Sequence, residues 1–306
     1  MRGIHGEKLV AARESDKLPR RDKPRIDAAI AVYDHWIQQL SEATAETVDE
    51  YIALVVNLLN QYKQYIDVDL IFDSRDDFLY RQKGQLKIDN SIMEEFLPHL
   101  VRKCIEMEFG ECSLQIGSQT PTYSSTYFAS SLSSPATGGG MMIKTKDQDF
   151  SMSRKLYLKS SYSSTFSEAE TVTIETHLGY VLAELKTNLD KTMFQEASAT
   201  AHDAKLAVTG AKYFLLCDFL DMTPISTATT DIDEIMILRK AKRINSNIRK
   251  EFSTYTGRQA RREWYVEYLQ SHPYSVDVFK RFINHLFAQM KNETLIEESV
   301  LEVGFF

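Results

Sequence analysis

A chain of 306 residues has room for one large hydrophobic core or two modest ones, and one catalytic-size unit with an appendage is expected. The formal net charge of −7, taken alone, argues against a nucleic-acid partner, because phosphate binding needs positive charge. Three cysteines at spacings that fit neither a zinc site nor disulfides, no apolar leader and no run near the roughly 18 residues of a membrane span point to the reducing cytoplasm, away from membranes.

In chain order, residues 26 to about 66 carry apolar residues at helical spacing, in IDAAIAVYDHWIQQL and VDEYIALVVNLLNQYKQYI. Two helices are predicted there, with Ser41 or Thr47 as a cap. The polar stretch DSRDDFLYRQKGQLKIDNS reads as a loop, and IMEEFLPHLVRKCIEMEF as a further helix begun by Ser91. Residues 1–110 are therefore expected to form a helical N-terminal region. From Gly110 the texture changes to short alternating runs rich in Ser, Thr and Tyr, broken by SSLSSPATGGG, which predicts strands joined by a mobile loop.

From Met141, MMIKTKDQDFSMSRKLYLKSS and TVTIETHLGYVLAELKT are strand-like, and NLDKTMFQEASATAHDAKLA is helix-like with Asn188 or Asp190 as its cap. KYFLLCDFL and DEIMILRK are short apolar runs of the kind a sheet buries on both faces. This order predicts a mixed α/β core over 111–245 with helices on its faces, and C-terminal helices from 246–306 packing on it.

The strand ending in AELKT places two charged residues where a buried strand should stay apolar. Alternation puts Glu184 and Lys186 on one face and Leu185 on the other. With a second carboxylate from a neighbouring strand, such a pair can hold Mg²⁺ through oxygen ligands while water keeps the other positions. The ammonium can then orient the attacking water or stabilise a phosphorane. Asp149, which leads directly into the upstream strand, is the preferred second acid; Asp147, Glu168, Glu170 and Glu175 compete with it. An E-x-K triplet is weak by itself, and its plain alternative is an exposed ion pair at a strand end.

AELKTNLDKTM, followed some forty residues later by DIDEIMILRKAKR, resembles the PD-(D/E)XK type II restriction endonucleases, in particular the group with the heterodimeric enzymes that cut CCTNAGC-type sites. The resemblance covers roughly residues 140–245. It implies a PD-(D/E)XK nuclease core, with Asp149 and Glu184 as metal ligands and Lys186 as the catalytic lysine. SIMEEFLPHL loosely resembles the helix before the family's catalytic strands, which makes Glu95, ahead of Glu94, an accessory metal ligand. The motif's proline is absent, since Gln148 precedes Asp149, and this keeps Asp147 and Glu175 open as the first acid. Gln195 and Glu196 on the following helix face the same end of the sheet.

Two basic segments are candidate DNA contacts. The loop YRQKGQLKIDNS groups the long donors Arg81, Gln82, Lys83, Gln85 and Lys87, which suits base reading, or else is a surface turn. The window 239–262 holds nine Lys or Arg against the single acid Glu251, a net +8 that leaves −15 elsewhere. It is either a solvated face or a phosphate-binding surface led by Arg239, Lys240, Lys242 and Arg243. ATGGGMM lacks the Lys and Ser or Thr of a phosphate loop, so no nucleotide cofactor is expected.

The expectation is a Mg²⁺-dependent, site-specific endonuclease acting on double-stranded DNA in a restriction system. Cutting both strands then calls for a homodimer or a second nuclease subunit. The alternatives are a DNA-binding subunit that does not cut, and a repair or RNA nuclease on the same chemistry.

Overall fold

The computed structural model describes residues 2–291, 301, 302 and 304. Five helices come first: α1 (Ile4–Glu14), α2 (Lys23–Glu42), α3 (Val48–Gln64), α4 (Phe78–Leu86) and α5 (Ser91–Phe109). Thr47 starts α3 through a capping box, its hydroxyl accepting from the Glu50 amide while the Glu50 carboxylate accepts from the Thr47 amide. Between α3 and α4 the chain runs through a π-helical stretch, Tyr65–Phe72. The expected loop around Arg81 is instead α4, because Asp77 precedes a run in which only Gly84 opposes a helix. Ser91 is the first residue of α5, where its hydroxyl accepts from or donates to His5 Nδ1, and Asn90 stands at the cap position.

Strands β1 (Gln115–Gly117), β2 (Thr120–Phe128), β3 (Met141–Gln148), β4 (Phe150–Ser161) and β5 (Thr171–Leu189) follow. The segment from Met141 to Ser161 is thus two successive strands interrupted at Asp149, not one, with β3 paired to β2 and β4 paired to β1 and β5. Helix α6 (Lys191–Ala207), capped by the Asp190 carboxylate on the Met193 amide, leads to β6 (Lys212–Leu220) and β7 (Glu234–Lys242). The described chain closes with α7 (Ser246–Glu251), α8 (Tyr255–Ala260), α9 (Arg262–Ser271) and α10 (Val276–Met290).

All seven strands join one mixed sheet. β4 pairs antiparallel with one edge of β5, while the other edge takes β2 near His177 and β6, in parallel, from Val181 onward. β7 extends the sheet beyond β6. One face packs on α2, α3, α5 and α10 in a large core that includes Trp36, Leu59, Phe96, Phe150, Phe214 and Phe282. The other face packs on α6 through Leu182, Leu215, Phe194 and Ala201.

The N-terminal helix is pinned by polar groups as well as by Leu9 and Ala12. Glu95 of α5 accepts from the amide of His5 at 2.8 Å and from Tyr33 Oη at 2.6 Å, so a buried carboxylate meets the positive end of α1. A Cβ on Gly3 would stand 2.0 Å from Glu95 Oε1, and only glycine fits that approach. His5 is fully buried, bonded to Ser91 Oγ at 2.9 Å and Tyr62 Oη at 2.6 Å. Burial, then the Lys63 charge, pushes its pKa down to about 3.

A His held neutral in the fold stabilises it fully above its unfolded pKa of about 6.5, and that contribution is lost as pH falls towards the folded value. Wild type is expected to lose on the order of a few kcal/mol relative to His5→Asn between pH 7 and pH 4. Urea unfolding of both proteins at each pH measures this, and parallel losses would show that His5 does not titrate against the fold.

Candidate active site

The C-terminal half of β5 lies between β4 and β6, with both neighbours in register. Leu182 packs on the α6 side while Ala183 enters the main core, so alternation sends Glu184 and Lys186 to the α6 side and Leu185 to the core. Phe150 pairs with Ala183, which sets Asp149, at the break between β3 and β4, beside the next residues of β5. Asp149 Oδ2 accepts from the Leu185 amide at 2.9 Å. Glu184 Oε1 meets Lys186 Nζ at 2.8 Å, and Glu184 Oε2 accepts from Tyr213 Oη at 3.0 Å. Asp149, Glu184 and Lys186 are therefore brought together.

Burial raises the Asp149 pKa; the Leu185 amide and the Lys186 charge oppose this, and the Glu184 charge adds to it. Burial works against the Lys186 charge, but the bond to Glu184 and the nearby Asp149 and Glu196 outweigh it, so the ammonium's pKa is raised. Lys186 is thus a cation at neutral pH and no proton acceptor.

The competing acids lie elsewhere. Asp147 is exposed on β3 opposite Pro121. Glu175 pairs with Lys155 at 2.8 Å on the distant part of the β4–β5 ribbon, and Glu168 and Glu170 form an exposed turn before β5. Glu95 is committed to α1 and does not join Asp149. Its neighbour Glu94 does face the site: burial raises its pKa, Lys87 lowers it and the Asp149 charge raises it. Glu94 Oε2 accepts from Gln119 Nε2 at 3.2 Å, and Lys87 Nζ stands 3.9 Å from Oε1. Gln195 and Glu196 are exposed on α6, with Glu196 close enough to act on the Lys186 charge.

Among the described residues, no three His, Cys, Asp or Glu side chains converge to hold a metal ion by themselves. The donor set at Asp149 and Glu184 nevertheless fits magnesium, which takes one or two carboxylates and keeps several waters.

A sequence profile of the Bpu10I restriction endonuclease matches residues 85–306, a span that includes the whole β-sheet and the site. The chain belongs to the Bpu10I restriction endonuclease family. It is a type II restriction endonuclease. The solved structure of the native BbvCI A2B2 tetramer has the same fold, with a TM-score of 0.54 and 18% identity over 88% of this chain and 97% of that one. No curated protein matches the chain.

In this restriction endonuclease most cations of the basic window are paired within the chain, Arg239 and Arg258 in its interior and the others at its surface. Arg239 is buried, stacked 4.0 Å over the Tyr274 ring and bonded to the His272 carbonyl, with Asp67 3.8 Å away. Lys240 pairs with Asp277, Arg243 with Asp221, Arg261 with Glu251 and Arg262 with Asp73. Arg258 is fully buried and donates to the carbonyls of Phe72, Ser74 and Phe252 and to Asp77. Lys242 and Lys250 stay exposed. On α4, Arg81 reaches the Ser253 carbonyl and Asp77, Lys83 turns inward to Asp89 at 3.5 Å, and Gln85 is exposed beside half-buried Gln82. Lys87, at the left-handed end of α4 with φ 55°, is the one of these five whose charge acts on Asp149.

Tyr213 went unnoticed because KYFLLCDFL reads as uniformly apolar; its place two residues before Leu215, the parallel partner of Glu184, is the only signal. Burial, then the Glu184 charge, drives its pKa far up, so the phenol stays a donor. Tyr213→Phe keeps the ring and frees Glu184 Oε2. Cleavage is expected to fall roughly 10- to 100-fold and to need more Mg²⁺, the usual cost of losing a group that orients a ligand. Single-turnover rates across a Mg²⁺ titration check this, and an unchanged curve would reduce Tyr213 to packing.

Proposed function

We propose that this type II restriction endonuclease has the PD-(D/E)XK chemistry and hydrolyses phosphodiester bonds in double-stranded DNA at a specific site, with Mg²⁺ as cofactor. The observation that carries the reading is the convergence of Asp149, Glu184 and Lys186 across β4 and β5. Asp149 and Glu184 would hold the magnesium, which supplies polarisation of water and of a phosphate oxygen.

The chain's own groups do the rest. The Leu185 amide fixes Asp149, and Tyr213 fixes the Glu184 carboxylate. Lys186, held cationic, orients the attacking water and stabilises the extra negative charge of the phosphorane. Lys87, half-exposed beside Asp149 and Glu94, contacts a backbone phosphate near the scissile one, and Lys242 and Lys250 add phosphate contacts further along. Arg81, Gln82 and Gln85 on α4 remain the candidates for reading bases.

One such site cuts one strand, so a second subunit is required for a double-strand break, whether another copy of this chain or a different nuclease chain. The A2B2 composition of the BbvCI tetramer supports the second arrangement. The reaction belongs in the cytoplasm.

Incubating the purified protein with plasmid DNA and Mg²⁺, alone and with a partner chain, and sequencing the ends tests the proposal. Nicks or breaks at one recurring sequence are expected. DNA bound but never cut under both conditions would leave a non-catalytic subunit, and cuts without sequence preference, or in RNA, would point to a repair or RNA nuclease.

A further inference from the structure

A cavity of about 300 Å³ opens at the C-terminal ends of β5 and β6, between α4 and the C-terminal helices. That volume lies at the lower end of the range of small-molecule sites. Its wall joins α4 to the C-terminal helices, and Thr187 and Asn188, the residues that directly follow Lys186, line it. A separate small hollow of about 20 Å³ is lined by Asp89, Asn90, Thr187 and Asp218 as well, and by Lys186.

The lining has two chemistries. Tyr80, Phe252, Tyr265 and Tyr268 give it aromatic sides and Arg249 adds positive charge, while Arg243 is paired with Asp221 and the Lys63–Asp67 pair and Asp218 also reach the lining. Asp89 supplies the second feature. Its side chain is 6% exposed, one oxygen lies 3.5 Å from Lys83 Nζ, and Oδ1 is buried with no hydrogen-bond partner. A buried carboxylate oxygen left unpaired costs free energy and marks a place where a donor belongs. Aromatic walls, a cation and an unmatched acceptor are together what a nucleotide offers to fill: a ring to stack, a phosphate, and an amino group to donate.

We propose that this cavity takes one base extruded from the bound DNA next to the cut strand, its ring against the tyrosines and its amino group donating to the Asp89 carboxylate. The inference rests on the DNA-cleaving reading above and adds a base-holding pocket to it. Extrusion brings to the enzyme a Watson–Crick edge that is hidden in the duplex. An acceptor at Asp89 favours adenine, cytosine or guanine over thymine, which has no exocyclic amino group.

Gly84 gives a clean way to close the cavity. It sits in α4 on the lining with an ordinary φ, and a Cβ there would meet nothing within 4 Å. Gly84→Phe therefore fills space without removing a contact, and it replaces the residue that helices tolerate worst after proline.

The test measures binding of the full protein, with its partner chain where cleavage needs one, to three short duplexes in Ca²⁺. One is fully paired, one carries a looped-out 2-aminopurine and one carries an abasic site in the same bulge. The bulged base should bind roughly tenfold or more tighter than the paired duplex, because its unstacking is already done, and its fluorescence should drop on stacking. The abasic bulge and Gly84→Phe should each lose that preference while paired DNA still binds. Equal affinity for all three duplexes, or a preference that survives Gly84→Phe, overturns the proposal. Quenching of free 2-aminopurine nucleotide without any bulge preference overturns it too, assigning the cavity to a soluble nucleotide. Plasmid cleavage is scored separately, so a bulge preference without cleavage keeps the pocket and removes the nuclease reading, and cleavage without the preference does the reverse.

Discussion

Glu184→Ala should abolish DNA cleavage, by at least ~1000-fold, while DNA binding survives nearly unchanged. Glu184 touches no surface that reads bases; its two oxygens are spent on Lys186 and Tyr213 and, in the proposed reaction, on magnesium. Removing it takes away a cation ligand and leaves Lys186 without the partner that sets its position, so the loss lies at or beyond the upper end of one electrostatic stabiliser. Truncation also leaves the buried Tyr213 hydroxyl without its acceptor, which costs about 1–3 kcal/mol and calls for a check that the protein still folds. Glu184→Gln answers that concern, because its amide oxygen still accepts from Tyr213 while the charge is gone. Cleavage in Mg²⁺ and binding in Ca²⁺, measured on both variants, decide the point. Activity within tenfold of wild type in folded Glu184→Gln would end the metal-ligand assignment.

Lys186→Met separates chemistry from architecture at the neighbouring position. If Lys186 only pairs with Glu184 at a partly exposed strand end, methionine should cost about 0–1 kcal/mol of stability and leave the rate alone. If the ammonium stabilises the attacking water and the phosphorane, the single-turnover rate should fall at least ~100-fold with DNA and metal still bound. The second outcome is expected, because Asp149, Glu184 and Glu196 hold the charge on Lys186 despite its burial, a concentration of acids around one amine that an ordinary surface pair does not need. A variant within about threefold of wild type would take Lys186 out of the mechanism.

The alternating pattern around AELKT was legible because a strand's period of two is local, and so was the Asp190 cap, which needs only the next turn of helix. The first acid was harder. Asp149 and Glu184 are 35 positions apart, and their meeting depends on the break at Asp149 and on the Phe150–Ala183 register, neither of which composition specifies. The basic window misled for a related reason. Positive charge counted along the chain ignores acids that arrive from elsewhere, and Asp67, Asp77, Asp221 and Asp277 come from four separate segments to neutralise it. Loop and helix were confused at α4 because its polar residues hide an amphipathic stripe of which only Leu79 is deeply buried. The cavity beside Asp89 had no signal at all, being assembled from α3, α4, the sheet and the C-terminal helices.

Glu94 and Glu95 are successive residues of α5, and an α-helix turns by about 100° from one residue to the next. That rotation alone sends one carboxylate outward to Asp149 and the other inward to the start of α1. Insertion or deletion of a single residue between Ser91 and Glu94 would therefore rotate both acids by about 100° in the same sense, leaving at least one of the two positions, at the first turn of the chain or at the cutting edge, without its carboxylate. Length in that one turn is as strictly set as residue identity.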